Sequence, residues 1–547
     1  MTMDKPFAIT LDVRTSLANH TGSWRSERPV YVDALPPCNH ACPAGEDIQQ
    51  WLYAAEDGSY ETAWRQLVVN NPFPAVMGRV CYHPCETACN RAELDTAVGI
   101  NSVERFLGDE AIKQGWQLPA PAASTGKRVL VVGSGPSGLS AAYQLRQLGH
   151  DVEIHEAGSR PGGMMRFGIP TFRLPRDVLD SEIDRLLATG IELKLDSRVN
   201  DLGETMREGS FDAAFLAVGA QLSHRAYIPA GQAAQILDAL AVLADVNDGD
   251  RPQLGRSVIV YGGGNTAMDV ARTARRLGAS DAVVVYRRTQ AQMPANELEL
   301  QEALDEGVRV RWLRTITEVH DGIAKLERME LDDDGVPQPT GEFEEITGET
   351  VVLALGQDVD RGLLDTVPGI TIDKGVVQVD ATMMTGSPGI FAGGDAVPGE
   401  RSVTVGIGNG KTAARHLDAW LRGESSSTAV PTVDLGMPVA FAELNTWYFS
   451  DAPHAVRPRL EAARRVTNFG EVVGGLDAET ALYEARRCMS CGNCMGCDNC
   501  FGVCPDNAVL KVETGHGYAI DLDYCKGCGL CASECPSGAI VMEPEET

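Results

Sequence analysis

From residue 90 to residue 487, a run of 398 positions, the chain has no cysteine, although its 547 residues include fifteen. Five lie at 38, 42, 81, 85 and 89, and the other ten fall between 488 and 535. A disulfide framework would not skip the whole middle of a large chain, and thiols two or three residues apart have ligand spacing. Both ends are therefore expected to carry metal. Positive charge is also scarce, with 47 Lys and Arg against 76 Asp and Glu, a net charge of −29. That balance argues against nucleic acid and anionic membrane surfaces as partners. No apolar run approaches the roughly 20 residues of a membrane span. The opening MTMDKPFAITLDVRTS (1–16) lacks an apolar export segment, so a soluble, cytoplasmic chain is expected. No Ser/His/Asp set, no paired carboxylates in a recognisable context and no thiamine or pterin signature is found. No catalytic side chain is assigned.

What is present is an ordinary globular composition, 44% hydrophobic and 22% charged, which excludes disordered, collagen-like and coiled-coil chains. The length suits three or four domains of about 150 residues. The stretches QLPAPAASTG (117–126) and GESSSTAVPT (423–432) read as linkers. Between them, KRVLVVGSGPSGLSAAYQLRQLGHDVEIHE and RSVIVYGGGNTAMDVARTARRLGASDAVVVYRR each read as strand, Gly-rich turn, helix and strand. Two such units imply two doubly wound, Rossmann-like domains.

In the first turn, Gly133 makes the tight bend, Gly135 lets backbone approach a pyrophosphate, and Gly138 lets helix pack on strand, with Pro136 and Ser137 between them. Glu156 ends the second strand, where a carboxylate accepts from a ribose hydroxyl. The second turn, Gly262, Gly264, Asn265, Thr266 and Ala267, has the same context. Its second strand ends in Arg287 and Arg288, which suit a 2′-phosphate and favour NADP(H) over NAD(H). A solvated charge pair is the alternative. The fragment GIFAGGDAV (389–397) puts Gly394 and Asp395 at a strand end, where the acid can hold ribityl hydroxyls. The following helix, which begins near Thr404, can face a flavin pyrimidine. The flavin domain is thus read as split, 125–255 and 380–430, with the nicotinamide domain 256–379 inserted. This arrangement resembles the two-dinucleotide-binding-domain flavoprotein superfamily. With no cysteine there, the dithiol chemistry of some of its members is excluded.

The C-terminal region 488–547 is expected to be an α+β ferredoxin domain. Cys494, Cys497, Cys500 and Cys504-Pro505, then Cys525, Cys528, Cys531 and Cys535-Pro536, repeat the bacterial two-cluster run. Three close cysteines wrap one [4Fe–4S] cube and the fourth crosses over, giving the sets 494/497/500/535 and 525/528/531/504. Zinc is the weaker alternative. Segment 431–487 shows a helical pattern and no legible motif.

At the N-terminus, PPCNHACPAGEDIQQWL, NNPFPAVMGRVCYHPCETACNR and GINSVERF resemble the small (beta) subunit of glutamate synthase. The same module occurs in dihydropyrimidine dehydrogenase and in the large subunit of the NADH-dependent ferredoxin:NADP oxidoreductase. The resemblance runs on through GGMMRFGIPTFRLP (162–175), which includes Gly163, to GGDAV. It implies FAD, a nicotinamide cofactor and a helical iron–sulfur domain over 1–124 with two [4Fe–4S] clusters. One would take Cys42, Cys81, Cys85 and, as a non-cysteine ligand, Glu104. The other would take Cys38 and Cys89 plus a Cys-x2-Cys placed upstream by the family, but residues 1–37 contain no cysteine. EARRCMSC (484–491) resembles the missing phrase, so Cys488 and Cys491 could complete that set; free thiols, or Cys491 as an alternative ferredoxin ligand, are the alternatives. Four clusters are then expected.

These readings together imply an NAD(P)H-dependent FAD/iron–sulfur oxidoreductase. It would be an electron-transfer subunit working with ferredoxin, a 2-oxoacid oxidoreductase or a glutamate synthase large subunit. A non-catalytic redox scaffold or sensor and a self-contained reductase of a small molecule are the other readings.

Overall fold

The computed structural model describes residues 20–21, 25–224, 228–229, 235–424, 436–513 and 515–545. The stretch 1–16 and residues 425–432 of the second linker lie outside them.

The strand Arg128–Val132 (RVLVV) is apolar along nearly its whole length and buried from Val129 onward. That is the pattern of a parallel strand covered on both faces. It is central in a five-stranded parallel sheet ordered Ile390–Ala392, Ala213–Leu216, Arg128–Val132, Asp151–His155, Glu192–Lys194. The strand Ile390–Ala392 returns to this sheet from beyond the whole second domain. The helices Pro136–Gln147 and Val403–Arg422 cross closely because glycine faces backbone: a Cβ on Gly410 would lie 2.4 Å from the Ser137 carbonyl oxygen. Ser140 Oγ also donates to the Ile407 carbonyl at 2.8 Å.

The second sheet is parallel and five-stranded, ordered Arg309–Trp312, Asp281–Tyr286, Ser257–Tyr261, Thr350–Leu353, Gln235–Asp238. A three-stranded antiparallel sheet, Arg314–His320, Ile323–Leu331 and Pro337–Thr347, is attached to it. Together these give the multidomain α/β architecture.

Residues 37–114 form a helical layer packed around Trp51 and Trp64, both fully buried. Glu182, on the flavin-domain helix Arg176–Leu187, accepts from Ala75 N and Val76 N at 2.9 Å each and so fastens this layer to the first sheet domain. The expected helical pattern of 431–487 is corrected. Its described α-helices are only Ala462–Arg465 and Ala478–Ala485, because Pro453 and Pro458 break the chain before the first and Gly470, Gly474 and Gly475 break it between the two.

The expected C-terminal unit does not close on its own residues. The strand Glu27–Tyr31 pairs antiparallel with Ile540–Pro544, so a strand from the beginning of the chain completes the module at its end. Thr21 Oγ1 donates to the Cys525 carbonyl at 2.7 Å, and Arg25 pairs with Glu545. Among the described residues, no helix is long and apolar enough to cross a membrane.

Candidate functional site

The first glycine turn shows three different uses of a missing side chain. Gly133 has φ +101°, and a Cβ there would lie 2.4 Å from the Ala217 carbonyl oxygen. A Cβ on Gly138 would lie 2.0 Å from the Gly133 carbonyl oxygen, so helix and strand approach as closely as backbone allows. At Gly135 a Cβ would meet nothing within 4 Å: it would project into open space at the helix start. Beside it Ser137 Oγ is buried with no hydrogen-bond partner among the described residues. An open cradle, an unpartnered hydroxyl and a helix N-terminus together fit a diphosphate.

Glu156 is already engaged, accepting from Ser134 N at 2.9 Å and Gly158 N at 2.8 Å while also lining the cavity. Gly163 packs on Gly135, where a Cβ would come within 2.8 Å of its Cα. Burial pushes the Asp395 carboxyl up, with Arg401 opposing. Thr404 opens the helix capped by Ser402, whose Oγ accepts from Val405 N at 3.2 Å.

The second turn repeats the plan. Gly262 has φ +147° and a Cβ there would lie 2.0 Å from the Ala354 carbonyl oxygen, Gly264 is open, and Ala267 is fully buried against the sheet. Asn265 Oδ1 accepts from Asn296 N at 2.7 Å. Arg287 is exposed and Arg288 half-buried just past the strand Asp281–Tyr286. Neither lines the cavity between the domains.

That cavity, about 420 Å³, runs from Gly135, Glu156 and Asp395 on one side to Asn265, Thr266 and Asp269 on the other. Sequence reasoning missed Tyr82, Arg173 and Asp269, which line it. Arg173 Nη1 donates to both carboxylate oxygens of Asp269 at 3.0 and 2.9 Å, and Arg173 also pairs with Glu299. Burial works against the Arg173 charge, but Asp269 and Glu299 outweigh it and keep the cation. The ion pair thus bridges the two nucleotide-binding domains at the wall of the cavity. A signal for Asp269 was present: an acid on the buried face of the helix Asn265–Arg276.

The fifteen cysteines are all unpaired and fall into groups. Burial, then the neighbouring charges of Glu86, Cys81, Cys42 and Glu104, pushes the Cys85 thiol up. Glu104 is buried, and its carboxylate accepts from Asn71 Nδ2 at 2.8 Å. Thr404 Oγ1 donates to Cys81 Sγ at 3.3 Å, while Val80 and Tyr82 on either side of Cys81 line the cavity. Cys38, Cys89, Cys488 and Cys491 line a second, smaller cavity. Burial raises Cys494, and Cys500, Cys535 and Cys497 add to that shift. Cys504, Cys525, Cys528 and Cys531 line a third cavity. Among the described residues no three His, Cys, Asp or Glu side chains are placed to hold a single metal ion. The ligands of a four-iron cube each bind their own iron and need not meet at a point. Backbone N–H groups point at sulfur: His83 N to Cys81 at 3.3 Å, Ala508 N to Cys504 at 3.2 Å and Gly527 N to Cys525 at 3.4 Å. Buried thiols with amide donors fit iron–sulfur clusters.

Comparison with known proteins agrees with this geometry. A family model described as pyridine nucleotide-disulphide oxidoreductase matches residues 127–414. One for dihydropyrimidine dehydrogenase domain II, 4Fe-4S cluster, matches 13–116, and a 4Fe-4S dicluster domain matches 493–539. The chain is 36% identical over 500 residues to the NADP(+)-dependent formate dehydrogenase subunit beta of Moorella thermoacetica, covering 83% of this chain and 70% of that one. It is 31% identical over 503 residues to the NADPH-Fe(3+) oxidoreductase subunit beta of Geobacter sulfurreducens, covering 83% and 75%. To the NAD-dependent dihydropyrimidine dehydrogenase subunit PreT of Salmonella typhimurium it is 32% identical over 391 residues, covering 70% and 91%.

Proposed function

We propose, from the fact that the chain belongs to the pyridine nucleotide-disulphide oxidoreductase family and is an NAD(P)H-dependent flavoprotein oxidoreductase with iron–sulfur clusters, that it is the electron-transfer subunit of a larger complex. FAD and the clusters, when bound, supply hydride exchange with nicotinamide and the passage of electrons one at a time. The chain's own residues bind and position. Gly133, Gly135 and Gly138 shape the flavin diphosphate cradle, and Asp395 faces the ribityl side of the cavity. Gly262, Gly264, Asn265 and Thr266 shape the nicotinamide cradle, and Arg287 and Arg288 are its candidates for holding a 2′-phosphate. Arg173 and Asp269 fix how the two cradles face each other. Cys42, Cys81, Cys85 and Glu104 hold the cluster nearest the flavin. Cys494, Cys497, Cys500 and Cys535, with Cys504, Cys525, Cys528 and Cys531, hold two more.

The observation that carries the reading is the contact at Cys81. Its sulfur receives the hydroxyl of Thr404, on the helix that walls the flavin cavity, so the cavity and the first cysteine group share a wall. Electrons leaving that cavity therefore have a protein-lined route toward the clusters and no need of a reactive dithiol. The acidic C-terminal module, with two Lys and no Arg in its last sixty residues, suits docking on a basic partner. The relatives in Moorella and Geobacter are named as beta subunits, which supports a partner enzyme.

The test is an anaerobic pull-down of the tagged chain from its native cells. A stoichiometric second oxidoreductase is the expected result and would identify the terminal substrate. A chain that comes down alone and reduces free ferredoxin with NADPH would overturn the subunit reading.

A further inference from the structure

The cavity lined by Cys38, Cys89, Cys488 and Cys491 draws its thiols from opposite ends of the chain. Neither iron–sulfur family model reaches Cys488 or Cys491, since one ends at 116 and the other begins at 493. We propose that these four cysteines hold a further [4Fe–4S] cluster, which links the flavin-proximal cluster to the ferredoxin-like module. The inference rests on the flavoprotein reading above and extends its electron path.

The four thiols do not meet by loose collapse, because the segment bearing Cys488 and Cys491 is clamped from both sides. Arg487, 2% exposed, donates to the Ala97 carbonyl at 2.9 Å, and Arg91 Nη1 donates back to the Arg487 carbonyl at 3.1 Å. On the far side, Ala34 N donates to the Gly492 carbonyl at 3.1 Å, and Gly492 N donates to the Ser537 carbonyl at 2.6 Å. Gly492 has φ +77°, and a Cβ there would come within 2.7 Å of Ala34 Cβ, so this turn accepts only glycine. Ser490, between the two cysteines, is held at φ +50°, a conformation that costs a non-glycine residue on the order of 1 kcal/mol and persists where the surroundings impose it. The two cysteines on either side of that bend line the same cavity as Cys38 and Cys89. Ser490 N reaches Cys488 Sγ at 3.5 Å and Asn90 Nδ2 reaches Cys491 Sγ at 3.6 Å. Donors aimed at sulfur stabilise it when it carries negative charge, and a packed apolar core needs none.

The position is that of a relay. Cys38 lies in one short helix, Pro37–Ala41, and Cys42 caps its C-terminus, so the two N-terminal groups are about one helical turn apart along it. Cys491 and Cys494 are three residues apart, at most about 11 Å between their Cα atoms. The shared group is therefore adjacent in the chain both to the set beside Thr404 and to the first ferredoxin-like set. It would take one electron from one neighbour and give it to the other, with no proton and no further reactant.

The test uses the full chain, purified anaerobically, with iron, zinc and FAD counted and low-temperature EPR recorded after dithionite reduction. Wild type should carry about sixteen iron per chain, four for each of four cubes. Cys488→Ala/Cys491→Ala should carry about twelve, and Cys38→Ala should lose the same EPR signal. A wild-type count near twelve, an iron count unchanged in the double variant, or zinc in place of the last four iron would overturn the proposal. Should the double variant not fold, the wild-type count decides by itself. FAD stoichiometry is read separately and reports on the flavoprotein reading, so the two fail independently.

Discussion

Gly135 and Gly138 differ by three positions and by what a methyl group would meet. At Gly138 it would collide with the backbone carbonyl of Gly133, which cannot swing aside. Gly138→Ala is expected to wedge helix from strand at about 1–3 kcal/mol, lowering both Tm and bound FAD. At Gly135 the methyl meets only open space. Gly135→Ala should therefore keep the Tm of the flavin-free protein while weakening FAD binding; differential scanning calorimetry with flavin absorbance separates the two. Arg287→Ala/Arg288→Ala should raise KM for NADPH by about 10- to 100-fold with little change for NADH, the loss of one charge-assisted contact to a 2′-phosphate. Glu182 supplies a pH signature. Burial pushes its carboxyl from an ordinary 4.5 up to about 7, against two backbone N–H donors. The folded state thus binds the proton more tightly than the unfolded state. This contribution is whole below about pH 4.5 and is lost as pH rises through about 7, at most about 3 kcal/mol. Glu182→Gln cannot ionise, so its Tm should gain on wild type between about pH 5 and 8; a constant difference would show that Glu182 does not titrate there.

Elements built on local periodicity were legible, and those built on distant partners were not. The strand RVLVV and the amphipathic helix after it carry their pattern within thirty residues, so both glycine turns could be read with their roles. The strand Glu27–Tyr31 could not: ERPVY contains a proline, has no alternation, and finds its partner some 510 residues later. Likewise Arg173 lay inside a quoted motif, but its counter-ion Asp269 sits on another domain, and no linear pattern joins them. The meeting of Cys38 and Cys89 with Cys488 and Cys491 in one cavity had only the likeness of EARRCMSC to a phrase expected upstream of Cys38 to suggest it. The helix Asn265–Arg276 shows what such distant pairing does for an element. Its Arg272 and Arg276 are buried and both pair with Glu306, itself 3% exposed. Arg272 would keep Glu299 and Glu302, but Glu306→Gln would leave Arg276 with no carboxylate partner among the described residues, at a cost of about 3–5 kcal/mol. A fall in Tm with loss of NADP(H) binding is expected, whereas an unchanged Tm would mean that water reaches Arg276.

At the scale of the whole molecule, the beginning of the chain is a structural part of its end. Arg25, Arg28 and the strand Glu27–Tyr31 all bind the last strand, Ile540–Pro544, or the residue after it. Deleting residues 1–31 would bare that strand's edge and remove the Tyr31 hydroxyl that donates to Cys500 Sγ at 3.1 Å. Iron should fall by about eight per FAD as the two ferredoxin-like clusters become labile, while FAD stays bound in a domain the deletion does not touch. Retention of all iron would show that the C-terminal module stands without its borrowed strand.

The same pairing sets an order in time. A ribosome adding about 5–20 residues per second needs about 25–100 seconds to travel from Tyr31 to Ile540. Throughout that interval the opening strand has no partner, and Cys38 and Cys89 have none across their cavity until Cys488 and Cys491 are made, while the two nucleotide-binding domains can already fold. Assembly of the iron-bearing half is thus a late event in the life of each nascent chain, and the flavin half is the platform on which the two ends meet.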